Sequence, residues 1–308
     1  MDSIFEEYKN YPTPEEADKW VESIWKMADS IKCDVEVLSD NGFSFSFGIR
    51  HVKNEFRYVK FKPEGMDEFY GYWQPVMSGP APLLIHTPGY GAEISTNPEL
   101  VSQGYNVLHI SPLGYATPNG PDKSKQKDNT WPVLADTVIS YAEKGYKQWL
   151  VNCILAIEWA MEQTEVIEDR ISFFGTSQGG GCSLLLGSIF KDKGVRCVAA
   201  DVPFLTNLPM AKSVGAITYN YQPLCSVDNI EGGWRALGFV DTISHVKRLN
   251  CPVLLTAGGK DNICPAKAIK SLSELLPGTC SYNYFDNLEH RYSREFVMLL
   301  LSWVRMYA

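Results

Sequence analysis

The period of apolar positions changes as the chain proceeds. Thr13-Pro14-Glu15-Glu16 has the form of a capping box with proline at the first helical position, and Trp20, Ile24, Met27 and Ile31 follow at helical spacing. This predicts an N-terminal helix. From Val35 to about Val76 the pattern largely alternates, as in Phe43, Phe45, Phe47 and Ile49 and then Phe56 and Tyr58, which predicts antiparallel strands at one sheet edge. Beyond it, short apolar runs alternate with helical segments, the mark of a parallel sheet built from βαβ units. The runs are 83–85, 107–110, 171–174, 195–200, 253–257 and 282–285. Leu150, Ile154, Ile157 and Met161 mark one intervening helix, a second begins after Ser177, a third spans about 266–276, and 295–307 closes the chain. Residues 116–130 are polar and turn-rich and read as a surface loop. Residues 206–246, with Tyr219, Tyr221 and Trp234, break the rhythm and read as a small cap. The expected organisation is a helical segment over 1–34 and one α/β domain over 35–308 with its cap at about 206–246.

The chemistry concentrates at one strand-to-helix junction. Ile171-Ser172-Phe173-Phe174 runs into Gly175-Thr176-Ser177-Gln178-Gly179, followed by the apolar helix of Cys182-Ser183-Leu184-Leu185-Leu186. A serine presented on so sharp a turn needs small residues two before and two after it, which Gly175 and Gly179 provide. Ser177 is the candidate nucleophile. Its hydroxyl is weak until a base removes the proton, and of five histidines His290 stands after the last strand and just before the final helix. His86 is the competing base. An imidazole base needs a carboxylate to fix its tautomer, and Asp261 follows the apolar run 253–257 one βα unit earlier, with Asp201 as the alternative acid. The candidate oxyanion donors are the backbone N–H groups of Gln178, directly after the nucleophile, and of Tyr90 in Thr87-Pro88-Gly89-Tyr90-Gly91. For Tyr90 the plain alternative is a Pro-Gly turn with a packed tyrosine.

Composition narrows the partners. With 45% apolar and 21% charged residues the chain resembles ordinary folded domains, and its net charge of −8 argues against a nucleic-acid surface. No run approaches the roughly 18 apolar residues of a membrane span. The acidic start Met1-Asp2-Ser3-Ile4-Phe5-Glu6-Glu7 lacks the form of a secretory signal, and eight cysteines lie scattered without zinc-site spacing. Cytoplasmic residence, reduced thiols, no metal and no cofactor are the expectations.

Taken together these motifs resemble the acetyl xylan esterase and cephalosporin C deacetylase family of α/β-hydrolases. The likeness runs from about Val35 to the C-terminus, through Pro88-Gly89-Tyr90-Gly91, Gly175-Thr176-Ser177-Gln178-Gly179-Gly180, Asp201-Val202-Pro203-Phe204-Leu205 and Asp261-Asn262-Ile263-Cys264-Pro265. The chain departs from that family in having Ser111-Pro112-Leu113-Gly114-Tyr115 in place of its Arg-Gly-Gln, and Arg291 in place of the Glu after the catalytic histidine. The resemblance implies an α/β-hydrolase fold, mostly parallel sheet with helices on both faces. It implies a Ser177–His290–Asp261 triad and an acyl pocket walled by Pro203, Phe204 and Leu205. It also implies hydrolysis of short acyl esters, acetyl foremost, on a small-molecule substrate such as an acetylated sugar, with a homo-oligomer among the assemblies it allows. A peptidase or thioesterase, or a non-catalytic ligand-binding protein of the same fold, are the competing expectations.

Overall fold

A computed structural model describes residues 6–38, 56–132, 146–212 and 230–308. The alternating run 43–49, and Tyr219 and Tyr221 of the expected cap, lie outside these residues. In chain order the main elements begin with α1 (Pro14–Asp29), β1 (Cys33–Val37), β2 (Arg57–Pro63), β3 (Phe69–Gln74), β4 (Ala81–Thr87), α2 (Pro98–Ser102) and β5 (Asn106–Ser111). There follow α3 (Tyr146–Met161), β6 (Val166–Thr176), α4 (Gln178–Ile189), β7 (Val195–Asp201), α5 (Leu208–Ala211) and α6 (Ile230–Val240). The last are β8 (Val253–Gly258), α7 (Ala266–Leu275), β9 (Cys280–Phe285) and α8 (Arg294–Tyr307).

The capping box forms as the sequence predicts: Thr13 Oγ1 accepts the Glu16 N–H at 3.3 Å and the Glu16 carboxylate accepts the Thr13 N–H at 2.9 Å. Such a cap contributes about 1 kcal/mol. The helix it starts buries Trp20, Val21 and Ile24 in the largest core cluster.

The sheet runs β1-β2-β3-β5-β4-β6-β7-β8-β9. Pairs from β1 to β5 are antiparallel, and from β5–β4 onward every pair is parallel. Strand alternation sends Leu83 and Ile85 of β4 into one core with α1, α3, α4 and α7, whereas Leu84 enters a second core with Leu100 of α2 and Phe296, Leu300 and Trp303 of α8. Both faces of the inner parallel strands are covered, which is why they read as apolar runs, whereas the edge strand β9 is only half-buried.

The segment 116–130 is more ordered than a plain loop. It holds a two-residue hairpin, Ala116–Thr117 against Gly120–Pro121, and a 3-10 turn over Lys123–Lys125. Of the 206–246 stretch, the described parts are α5, α6 and a 3-10 helix over Thr242–Arg248. There His245 is fully buried, its Nε2 lies 2.8 Å from the Phe239 carbonyl, and burial pushes its pKa down to about 4. Among the described residues no helix is long and apolar enough to cross a membrane.

Candidate active site

The turn from β6 into α4 is closed by backbone contacts that exclude side chains. A Cβ on Gly175 would stand 2.6 Å from the Gly179 carbonyl carbon, and one on Gly179 would stand 2.2 Å from the Thr87 carbonyl oxygen. Neither distance is tolerable. Between these glycines Ser177 is held at φ 59 and ψ −121, a left-handed conformation that a serine adopts only when its surroundings impose it. Those surroundings are visible: the Ser177 N–H donates to the Asp201 carbonyl at 2.9 Å, and the Ser177 carbonyl accepts from Phe204 N at 2.8 Å and Gly181 N at 3.1 Å. The strain thus rests on both α4 and the loop after β7.

His290 and Asp261 meet Ser177 from across the sheet. The imidazole Nδ1 lies 2.8 Å from Asp261 Oδ2 and its Nε2 lies 2.9 Å from Ser177 Oγ. With a carboxylate at Nδ1, the proton belongs there, and Nε2 accepts from the serine hydroxyl. The other carboxylate oxygen accepts the N–H groups of Ile263 and Cys264, each at 2.8 Å, so Asp261 cannot swing away from the ring. Its side chain has no exposed surface, while that of His290 is 20% exposed. Two glycines bring the acid and base loops together. A Cβ on Gly258 would meet the Leu288 carbonyl at 2.4 Å, and one on Gly259 the Asp286 carbonyl at 2.3 Å.

The two alternatives raised by the sequence stand elsewhere. The Asp201 carboxylate is fully buried beneath the turn and accepts the Thr176 hydroxyl at 3.0 Å and the Thr256 hydroxyl. Burial pushes its pKa up to about 6 in spite of these donors. His86 faces His109, Nδ1 to Nδ1 at 2.8 Å, and its ring stacks on Phe174 at 4.7 Å. Burial, then His109, push its pKa down to about 3.

Gln178 is the first residue of α4, where backbone N–H groups lack partners within the helix. Tyr90 follows β4; the residue is 58% exposed and its hydroxyl accepts the Trp131 N–H at 2.8 Å. β4 is tied to α4 by Thr87, whose hydroxyl donates to the Gly179 carbonyl at 2.7 Å and lies 2.7 Å from Ser183 Oγ. Of the expected pocket residues, Pro203 and Phe204 line a cavity of about 10 Å³ with Thr206, Leu208, Ile263 and Cys264. Leu205 does not line it; its side chain is fully buried in the main core. Where the chain departs from Arg-Gly-Gln, Leu113 and Gly114 both have positive φ, and Lys125 Nζ donates to the Leu113 carbonyl at 2.8 Å.

Sequence reasoning missed Glu93 and Tyr292. Glu93 accepts the Gly89 N–H at 3.1 Å and the Tyr292 hydroxyl, so one carboxylate joins the loop bearing Tyr90 to the loop bearing His290. The pair is 199 residues apart in sequence, and only Tyr292's place two residues after His290 hinted at it.

A buried carboxylate, an oriented imidazole and a strained serine in hydrogen-bonded series can activate a hydroxyl for acyl transfer. Comparison with known proteins agrees with that chemistry. The family model described as acetyl xylan esterase (AXE1) matches residues 5–305. Acetyl esterase Axe7A of Xylanibacter ruminicola is 23% identical over 222 residues, 67% of this chain and 49% of that protein. The chain thus spans about half the length of that curated relative. The crystal structure of acetyl xylan esterase 1 from Thermoanaerobacterium sp. JW/SL YS485 superposes with a TM-score of 0.76 at 21% identity, covering 96% of this chain and 95% of that one. Acetyl xylan esterase from Paenibacillus sp. R4 gives 0.76 at 18% identity, covering 97% and 96%.

Proposed function

Because the chain belongs to the acetyl xylan esterase family, we propose that it is a serine esterase that removes acetyl groups from hydroxyls of a carbohydrate, with Ser177, His290 and Asp261 as its triad. The observation that carries this reading is the unbroken series Asp261–His290–Ser177, at 2.8 and 2.9 Å, ending on a strained serine. Ser177 Oγ attacks the ester carbonyl as its proton passes to His290 Nε2, and Asp261 stabilises the resulting imidazolium. Charge on the carbonyl oxygen is met by the backbone N–H groups of Gln178 and Tyr90. The alcohol departs with the proton from His290, leaving an acetyl-enzyme. Water attacks that ester, His290 takes its proton, and acetate and free Ser177 result. These steps use no metal or cofactor.

The acyl preference follows from space. The cavity between Phe204 and Cys264 has room for about one water-sized group, since a water needs roughly 10–15 Å³. That supports a methyl group there and opposes a long chain. Acetate release from acetylated xylo-oligosaccharides tests the proposal. Wild type should release acetate at a rate that Ser177→Ala lowers by about 10³-fold or more, with unchanged circular dichroism. Equal release by the mutant, or faster cleavage of an acyl-peptide anilide than of the acetyl ester, would overturn it.

A further inference from the structure

The cavity between Phe204 and Cys264 has two walls that come from different parts of the chain. Thr206, Leu208 and Ala211 form one, after β7 and in α5, and Ile263, Ala268 and Ile269 form the other, before and in α7. Where the first wall passes Ser177 it is fixed by backbone, as a Cβ on Gly181 would stand 2.0 Å from the Phe204 carbonyl oxygen. Past Phe204 a different set of contacts holds it.

There the backbone is strained. Leu205 has φ 58 and Asn207 φ 48, and a left-handed leucine persists only where its surroundings impose it. The imposing groups are buried, polar and drawn from one short stretch just after α6. Asp241, fully buried, accepts the Asn207 N–H at 2.8 Å on Oδ1 and the Leu208 N–H at 2.7 Å on Oδ2. Thr242 donates its N–H to the Leu205 carbonyl at 2.8 Å and its hydroxyl to Thr206 Oγ1 at 3.2 Å. The Asn207 side chain then crosses to the second wall. Its Nδ2 donates to Ser271 Oγ at 2.6 Å, on the helix that carries Ala268 and Ile269.

The segment before α1 completes this frame. Tyr11 donates its hydroxyl to Asp241 Oδ2 at 2.8 Å, and Tyr8 donates to Asn207 Oδ1. Tyr11 seats against Gly238 of α6, where a Cβ would stand 2.9 Å from its ring. Neither Asp241 nor Asn207 lines the cavity, and both polar atoms of each side chain are engaged, so their influence passes through Thr206, Leu208 and Ala268. Resting on the acetyl-esterase reading, we propose that Asp241 and Asn207 are positioning residues that set the acyl limit of this site, with Tyr8 and Tyr11 holding them in place. The walls enclose about 10 Å³ and have little room to move closer, so release of the strained segment carries Thr206 and Leu208 away from α7 and admits longer acyl chains.

The test compares kcat/KM on p-nitrophenyl acetate and p-nitrophenyl hexanoate. Loss of folded protein lowers both rates alike, so a merely structural role leaves their ratio unchanged. Asn207→Ala removes the tie between the walls and should raise the hexanoyl-to-acetyl ratio at least about fivefold, the equivalent of one hydrogen bond. Ser271→Ala, and Tyr8→Phe combined with Tyr11→Phe, should each raise it at least about twofold. Ser271→Ala places a strong helix former in α7 and reads the result if Asn207→Ala does not fold. Val304→Ala, in the core on the other sheet face, should lower the melting temperature and leave the ratio at its wild-type value. A wild type that favours acetyl while the folded frame variants keep its ratio, or a Val304→Ala shift as large as theirs, would overturn this assignment and leave the esterase reading standing. A wild type that cleaves no ester would overturn both.

Discussion

The two sides of the nucleophile turn offer opposite spaces. On one side the loop after β7 closes on Ser177 through backbone bonds from Phe204 and to Asp201, and a cavity of about 10 Å³ lies between Phe204 and Cys264. On the other, the short α2 and the start of α8 at Arg294 leave about 250 Å³. The cause lies in how each side is packed. The tight side is backbone on backbone: a Cβ on Gly181 would stand 2.0 Å from the Phe204 carbonyl oxygen. The roomy side is side chain on side chain, Phe174 and His86 against Phe296 and Leu300, and larger side chains can leave gaps that backbone contacts do not. The tight side is thus set by backbone contacts at glycine positions and the roomy side by side chains, so substitutions should alter the second space far more readily.

The largest expected effect separates the two histidine settings. His290→Ala should lower kcat on p-nitrophenyl acetate by about 10³-fold, since the triad acts as a unit, whereas His86→Ala should retain activity within about tenfold. Steady-state assays on both purified variants decide this, and a reversal would exchange their roles. A smaller effect sharpens the tight side. kcat/KM should peak between acetyl and butyryl p-nitrophenyl esters and fall at least about tenfold by octanoyl, because a methylene forced into a full pocket costs roughly 1–3 kcal/mol. Phe204→Ala should move that peak toward longer chains, and an octanoyl maximum in wild type would mean a lipase-like site and overturn the short-acyl reading while leaving the triad untouched. The smallest effect concerns the strut between the loops. Tyr292→Phe removes one hydrogen bond to Glu93, worth about 1 kcal/mol, and should lower kcat about fivefold with KM little changed. A shift in KM alone would show that Tyr292 contacts substrate and does not position the Tyr90 loop.

The parts legible in the sequence are those set within a few residues of one another. Gly175 and Gly179 announce the turn because they stand at fixed offsets from Ser177 within one strand-turn-helix unit, although the backbone a Gly179 Cβ would meet belongs to Thr87 and Pro88 at the end of β4. Asp261 and His290 are legible because Asp261 follows the apolar β8 and His290 follows the mixed edge strand β9, and parallel strands deliver such residues to one sheet edge. Leu205 was expected in the acyl pocket, yet its φ of 58 accompanies a side chain turned into the core, and no residue pattern signals that reversal. The His86–His109 pair depends on the β4–β5 register, where the two residues are direct partners. Aligning the ends of neighbouring strands would have revealed it. Glu93 and Tyr292 offered no such route, because their contact joins two loops that only the finished fold brings together.

The central claim is that Ser177 is the nucleophile activated by His290. Incubation of the folded protein with a fluorophosphonate probe, followed by peptide mass spectrometry, tests it most directly. The account predicts one covalent adduct, on the peptide carrying Ser177, absent in Ser177→Ala and formed far more slowly in His290→Ala. Folded wild-type protein that remains unlabelled, or an adduct on another residue, would contradict it.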